Sequence, residues 1–199
     1  MRQKRVVVGR VAFTLGLLLL LLPLARWGAA YYWQQQALRQ IVIEPISISA
    51  PDEVESGSWV AQLQEKEQGD QAREPNLIEI PKIKLRAVVL PGVTPAELKR
   101  GPGLYPQSAA PSEGNVSIAA HRGVYGAWFR HIDELEPGDE IMLYLNGTRY
   151  WYSVREQFVT HDRDWSVVES NGRAELTLTT CLFGTSSKRL VVKADLVGP

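Results

Sequence analysis

The distribution of strand-like segments constrains the fold of this chain most strongly. From Pro75 onward, short runs rich in branched apolar residues recur between turn signals, and little helical periodicity separates them. Asn146-Gly147 lies between two such runs and predicts a hairpin, because both residue types tolerate positive φ. Roughly seven or eight short strands at this spacing favour a mainly β fold, either a closed antiparallel barrel or a sandwich.

Individual elements can be placed within this pattern. Residues 77–80 and 85–90 predict two short strands with a bend at Pro81, and Thr94 begins a short helix as an N-cap. The runs 115–120, 141–145, 149–160, 175–180 and 190–196 predict further strands. Residues 128–135 predict a short helix, because Phe129, Ile132 and Leu135 would share one face.

The first 33 residues predict a membrane anchor. Basic side chains precede an apolar run that ends at Ala25 and is twenty residues long when counted from Val6, about the length that a bilayer core of roughly 30 Å requires. Four aromatic residues follow this run, as at a headgroup layer, and the positive cluster before it keeps the N-terminus in the cytoplasm. A cleaved signal peptide is the alternative, because small residues stand at 28–30.

Composition then divides the remainder of the chain. Residues 34–74 are acidic and poor in large apolar residues, which predicts a mobile stalk, although 34–40 could continue a helix beyond the membrane. Residues 75–199 form the predicted folded domain, on the outer side of the membrane, and carry fourteen basic and fourteen acidic side chains. That balance argues against nucleic acid as a partner, because phosphate binding needs a basic face.

Cys181 is the single cysteine, and it ends the strand-like run 177–180. An exported chain with one thiol cannot form an internal disulfide, so catalysis is a reason to keep it. His121 also ends a strand, and Arg189 would lie beside the thiol if the last two strands pair antiparallel. An imidazole and a guanidinium near a thiol favour the thiolate, and the arginine could stabilise an oxyanion.

Each of these residues also has a plainer interpretation. A lone cysteine is most often a small buried apolar side chain, and Arg189 could be a charge at a strand edge. His131 and His161 stand among charged residues and are interpreted as solvated. No histidine or carboxylate cluster has metal-ligand spacing and one cysteine cannot build a cysteine zinc site, so we predict no metal and no cofactor.

From residue 77 to the C-terminus the chain resembles the sortases, membrane-anchored cysteine transpeptidases of bacterial cell surfaces. The resemblance rests on motifs in the family's order: Ile80-Pro81-Lys82-Ile83, Gly101-Pro102-Gly103-Leu104-Tyr105-Pro106, Gly114 to Arg122 with His121 inside it, Phe129 through Gly138-Asp139-Glu140-Ile141, Leu176-Thr177-Leu178-Thr179-Thr180-Cys181, and Arg189-Leu190-Val191-Val192. Classes D and E are the most similar. Departures are Leu182-Phe183 where those classes often carry His-Pro, and Leu104 where they carry His.

The resemblance implies a closed eight-stranded β-barrel with short helices, preceded by one transmembrane helix. It implies that Cys181 is the nucleophile, His121 the general acid and base, and Arg189 the oxyanion or substrate-orienting group, while Thr180 and Ala120 contact substrate. The implied partners are surface proteins with a Leu-(Pro or Ala)-x-Thr-(Gly or Ala)-like sorting signal and an amine from a peptidoglycan precursor or a pilin lysine. The implied location is the membrane of a Gram-positive cell.

Two other classes stay open from sequence alone. A different Cys/His cell-wall peptidase or an L,D-transpeptidase would use the same residue types, but the L,D-transpeptidase signature keeps them within a few positions, whereas here they are sixty apart. A noncatalytic adhesin or scaffold would place Cys181 in the core. Reactivity of the thiol towards an alkylating reagent distinguishes these classes.

Overall fold

The computed structural model describes residues 16, 28–39, 75–185 and 187–198. The predicted anchor and the predicted stalk therefore lie almost entirely outside the described residues. Within the described part, no helix combines the length and the apolar character needed to cross a bilayer.

Nine strands form a single sheet in the described part of the chain. They are β1 (Leu77–Ile80), β2 (Leu85–Val88), β3 (Leu90–Pro91), β4 (Gly103–Leu104), β5 (Asn115–Ala119), β6 (Glu140–Leu145), β7 (Thr148–His161), β8 (Glu175–Cys181) and β9 (Lys188–Gly198). Their order in the sheet is β2-β1-β6-β7-β9-β8-β5-β4-β3. The described residues include the helices α1 (28–39) and α2 (Pro95–Leu98), and three-residue 3-10 turns cover Pro81–Ile83, Ile132–Glu134 and Trp165–Val167.

The two edges of this sheet meet, because β2 and β3 are separated in sequence by Val89 alone. The Val89 amide donates to the carbonyl of Asn76 on one side, and the Leu90 amide donates to the carbonyl of Pro102 on the other. The sheet is therefore a nearly closed barrel, which confirms the predicted mainly β fold. It contains nine strands rather than the eight expected, since β3 and β4 are two-residue strands that pair in parallel.

The barrel interior is filled by the residues at alternate strand positions. Val116 and Ile118 of β5, Leu176 and Leu178 of β8, and Val192 of β9 all have side chains with no exposed surface. Because strand side chains alternate between faces, the intervening residues point to the outer face of the barrel. This alternation determines which residues at the strand ends are available to a ligand.

Several predicted elements are confirmed. The strands at Asn146-Gly147 pair as the expected hairpin, with φ of 52° and 79° at these two residues. Helix α2 begins after Thr94, whose amide donates to Glu97 Oε2 at 2.7 Å.

The predicted helix over 128–135 is wrong. This segment forms turns closed by hydrogen bonds between residues three apart, among them Glu134 N to His131 O at 3.0 Å, and only 132–134 is a regular 3-10 turn. The buried side chains Phe129, Ile132 and Leu135 recur at intervals of three, which suits the 3-10 period and not the 3.6-residue period of an α-helix.

Helix α1 packs on the barrel next to β2. Gln34 is completely buried, and its side chain bonds the backbone of Val88 in both directions, accepting from the amide at 2.8 Å and donating to the carbonyl at 3.1 Å. A Cβ on Gly101 would lie 2.2 Å from Gln34 Nε2, so glycine is required there. The guanidinium of Arg100 stacks on Trp33, with the Arg100 Cζ atom 4.1 Å from the centroid of the Trp33 ring.

Candidate active site

Three neighbouring strands bring the predicted catalytic residues together. Strand β8 lies between β5 and β9, and β8 pairs with β5 in parallel so that Ala119 lies opposite Thr179. Strand β5 ends at Ala119, the Ala120 amide still donates to the Thr179 carbonyl at 3.2 Å, and His121 follows directly. On the other side, the antiparallel pairing of β8 with β9 sets Cys181 directly opposite Arg189.

The side chains of this trio share one face. Residues paired across neighbouring strands point to the same side of a sheet, at backbone separations of about 5 Å. Leu178 and Leu190 point into the core, so Cys181 and Arg189 point outward by alternation. The outer rim of the barrel therefore carries a thiol paired with a guanidinium, and the segment that bears His121 leaves the neighbouring strand at the same rim.

Cys181 is an exposed free thiol. This exposure contradicts the alternative in which the cysteine is a small buried side chain of the core. The thiol ends β8 where the chain enters the connection 182–187, and the Leu182 amide still donates to the Lys188 carbonyl at 3.2 Å. The nucleophile candidate is thus held on a strand and is open to a substrate.

His121 lies half-buried beside a strained loop. Its carbonyl accepts a hydrogen bond from the Phe129 amide at 3.1 Å, and its ring lies 5.3 Å from that of Tyr125, measured between centroids. Tyr125, Gly126 and Ala127 all have positive φ, a conformation that costs energy in residues other than glycine and that clusters at functional sites. Burial lowers the pKa of His121, so its imidazole is neutral at neutral pH and can accept a proton.

Arg189 lies at the start of β9, where its Nη1 donates to the Lys188 carbonyl at 3.1 Å. Its side chain is partly exposed. The cation therefore stands at the same rim as the thiol, on the side opposite to His121.

Thr180 and Ala120 are both buried and lie on the inner face, in line with the core residues of their strands. The Thr180 hydroxyl donates to the Ala120 carbonyl at 2.7 Å and so fastens β8 to β5 just before the two functional side chains. Their predicted contact with substrate stays a prediction. In this geometry Thr180 and Ala120 hold the ends of β8 and β5 together.

The outer face beneath the trio carries residues that sequence reasoning missed. Ala119, Thr179 and Val191 are paired side by side on β5, β8 and β9 and face outward by alternation. The Tyr105 hydroxyl lies 3.0 Å from Thr179 Oγ1 and brings a phenol ring to this floor. Side chains two residues apart in a strand share a face, so counting back two residues from Cys181 could have identified Thr179.

A polar network fixes the connection between β7 and β8 against this face. Asn115 Nδ2 donates to the carbonyls of Val167 and Glu169, both at 3.1 Å, and the Ser117 hydroxyl donates to that of Val168 at 3.2 Å. Lys193 Nζ donates to the Val167 carbonyl at 2.8 Å. These bonds hold this connection against the outer face of β5 and β9.

The remaining histidines contact carboxylates at the surface, and His161 pairs with Lys188, the residue before Arg189. His131 Nδ1 lies 2.7 Å from Glu134 Oε1, and His161 Nδ1 lies 2.9 Å from Asp162 Oδ1. Within the described residues, no group of three histidine, cysteine or acidic side chains could hold a metal ion.

A nearly closed β-barrel that presents a thiol, an imidazole and a guanidinium on adjacent strand ends has the architecture that the motifs implied. The Sortase domain model matches residues 78–197, so the chain belongs to the sortase family. This membership decides against the L,D-transpeptidase and adhesin alternatives.

Relatives of known name agree with this assignment. The chain is 39% identical to sortase A of Bacillus anthracis over 61% of its own length and 59% of that protein, and 30% identical to sortase D of Bacillus subtilis over 58% and 60%. It thus spans about three fifths of the length of these relatives.

Solved structures are similar as well. A sortase D5 transpeptidase of Clostridium perfringens has 33% identity and a TM-score of 0.59 over 72% of this chain and 91% of that one. Sortase E1 of Streptomyces coelicolor, solved with a tripeptide in its active site, has 30% identity and a TM-score of 0.58 over 62% and 88%.

Proposed function

We propose that this protein is a membrane-anchored cysteine transpeptidase that cleaves a sorting signal of the Leu-(Pro or Ala)-x-Thr-(Gly or Ala) type and transfers the acyl group to an amine. The observation that carries the proposal is the direct pairing of the exposed Cys181 with Arg189, on the strand next to the one that leads to His121. The exposed Cys181 thiol at this rim is open to an extended peptide.

The proposed reaction begins as neutral His121 takes the proton of the Cys181 thiol, and the resulting thiolate attacks the threonine carbonyl carbon. Arg189 stabilises the oxyanion of the tetrahedral intermediate. As the peptide C–N bond breaks, His121 donates its proton to the departing amine, and a thioester forms between Cys181 and the threonine acyl group.

The second half of the reaction uses the same groups in reverse. The acceptor amine attacks the thioester carbonyl, neutral His121 removes its proton, and the Cys181 thiolate leaves. The lowered pKa of His121 suits this step, because it keeps the imidazole able to accept a proton at neutral pH. The proposed acceptor is a peptidoglycan precursor or a pilin lysine.

The anchor completes the proposal. A cytoplasmic N-terminus, one transmembrane helix and an external catalytic domain would hold the site at the surface of a Gram-positive cell. Support comes from the basic cluster and the apolar run that precede residue 26.

The test uses the full chain in detergent with a quenched-fluorescence library of such peptides, plus triglycine as the amine. Cleavage and ligation are expected for the native protein, and both should vanish in Cys181→Ala. Mass spectrometry of the ligated product identifies the cleaved bond and the preferred signal. Absence of cleavage together with resistance of Cys181 to iodoacetamide would refute the proposed function.

A further inference from the structure

Arg122, the residue after His121, has a buried side chain with only 5% exposure. Burying a guanidinium costs several kcal/mol unless other groups compensate for the lost water. Its neighbours in the structure therefore indicate what this arginine does.

Two contacts hold Arg122, and they lie on opposite sides of the site. Arg122 Nη2 pairs with Asp133 Oδ2 at 2.8 Å, in the 3-10 turn that follows the His121 loop. The Arg122 Cζ atom lies 4.3 Å from the ring centroid of Phe183, two residues beyond Cys181. Arg122 thus joins the chain that follows the imidazole to the chain that follows the thiol.

Burial does not explain the position of the Phe183 side chain. Its side chain is 56% exposed, so burial in the core does not hold it. A guanidinium over an aromatic face contributes about 0.5–1 kcal/mol at an exposed site and about 2 kcal/mol or more where water is excluded. Here the cation is buried and the ring is exposed, so the stacking adds to the backbone hydrogen bonds of Leu182 and Thr185 in ordering residues 182–185.

We propose that Arg122 and Phe183 form a latch that holds the connection after Cys181 against the loop after His121. Arg122 is then a positioning residue: it sets the relative placement of thiol and imidazole without touching substrate. The inference rests on the proposed function for its kinetic consequences. Its effect on the pairing of Cys181 with His121 can be measured without any substrate.

The physical reason for a kinetic effect is the steep dependence of proton transfer and nucleophilic attack on geometry. A displacement of about 1 Å in a catalytic group can reduce the rate by about 100-fold. Loss of the latch leaves Cys181 on its strand but frees the connection beside it. We therefore expect lower kcat with little change in KM, because the substitutions alter the placement of the catalytic groups and leave the paired strands of the barrel in place.

The variants separate stacking from charge and from folding. Phe183→Leu removes the aromatic face at an exposed position, whereas Phe183→Tyr keeps it. Arg122→Lys keeps the charge for Asp133 but loses the planar group that stacks on the ring. The matched control is Arg149→Lys, which breaks another arginine–aromatic contact, 5.1 Å above Trp151 on the β6–β7 hairpin.

The experiment has two readouts on the full chain in detergent. The first is the rate of Cys181 alkylation by iodoacetamide as a function of pH, which reports the thiol–imidazole pair and needs no substrate. The second is kcat and KM with the best peptide from the library. Circular dichroism melting shows that each variant is folded.

For Phe183→Leu and Arg122→Lys we expect a shifted alkylation pH profile and a kcat lower by about tenfold or more, with KM within about threefold. Phe183→Tyr and Arg149→Lys should match the native protein. The double variant should lose no more than the worse single variant, because both act through one contact.

An unchanged alkylation profile in Phe183→Leu would overturn the latch, as would full additivity in the double variant. If no peptide is cleaved by the native protein, the proposed function fails while the alkylation profile still decides on the latch.

Discussion

The buried Glu175 provides a test of how the connection between β7 and β8 is held on the barrel. Its carboxylate has 1% exposed surface and receives Lys193 Nζ at 2.8 Å and Arg155 Nη2 at 3.0 Å. Lys193 in turn donates to the Val167 carbonyl, so one ammonium links the barrel to the connection before β8. Replacing Lys193 by methionine keeps most of the volume and removes the charge.

The expected cost follows from the environment of the carboxylate. Removing one partner of a buried ion pair destabilises a protein by about 3–5 kcal/mol, because a charge stays buried without compensation. Arg155 remains as a second cation, so we expect about 3 kcal/mol for Lys193→Met. The exposed pair of Arg173 with Asp195 gives the control, and Arg173→Met should cost less than about 1 kcal/mol.

The pH dependence has a definite sign. Burial raises the pKa of Glu175, but the hydrogen bonds from Lys193 and Arg155 outweigh it, and the net pKa lies below the usual value of 4.5. A depressed carboxyl pKa adds stability above the unfolded-state pKa, and this stability is lost as pH falls through the folded-state value. The destabilisation by Lys193→Met should therefore be full at pH 7 and should shrink below about pH 4.5.

Urea unfolding followed by circular dichroism measures both effects. Lys193→Met combined with Glu175→Gln should be more stable at pH 7 than Lys193→Met alone, because the uncompensated charge is gone. A loss below 1 kcal/mol for Lys193→Met, or a loss that is the same at pH 7 and pH 4, would refute this account of the network.

Two further predictions concern the helix before the barrel and the catalytic base. Gln34→Ala should destabilise the protein by about 1–3 kcal/mol, because the buried amide and carbonyl of Val88 lose their partner. Gln36→Ala, at an exposed position of the same helix, should change stability by less than about 0.5 kcal/mol. Urea unfolding of the full chain compares the two variants. The activity of the native protein should fall with decreasing pH only below the ordinary histidine pKa of 6.5, because burial lowers the pKa of His121. Peptide ligation rates from pH 4 to 8 measure this dependence. An inflection above pH 6.5 would contradict the burial argument.

The sequence predicted the strand ends better than it predicted some of the local structure. Strand ends are visible in sequence as branched runs that stop at a polar residue, so His121 and Cys181 could be placed at strand termini. Pairing between strands is not visible there. The parallel register of β5 with β8 depends on the crossover 120–174, whose length and packing no short pattern specifies.

The errors have physical causes of the same kind. Phe129, Ile132 and Leu135 fit one face of a helix in outline, but the positive φ of Ala127 and the three-residue period select turns. Thr180 lies next to the thiol in sequence, and alternation turns its side chain to the opposite face. Adjacency in a strand is therefore a poor guide to contact, and a step of two residues is a better one.

The barrel explains why so small a set of polar groups can be held in place. At the rim, the Thr180 hydroxyl bonds β8 to β5, and the pairing of Cys181 with Arg189 aligns β8 with β9. These contacts position the ends of the three strands. Beyond the rim strand pairing ends, so the remaining order comes from turn hydrogen bonds and from side chains. Arg122 lies at this boundary, one residue beyond His121, and its buried charge makes sense as the group that restrains the two connections where strand pairing no longer can.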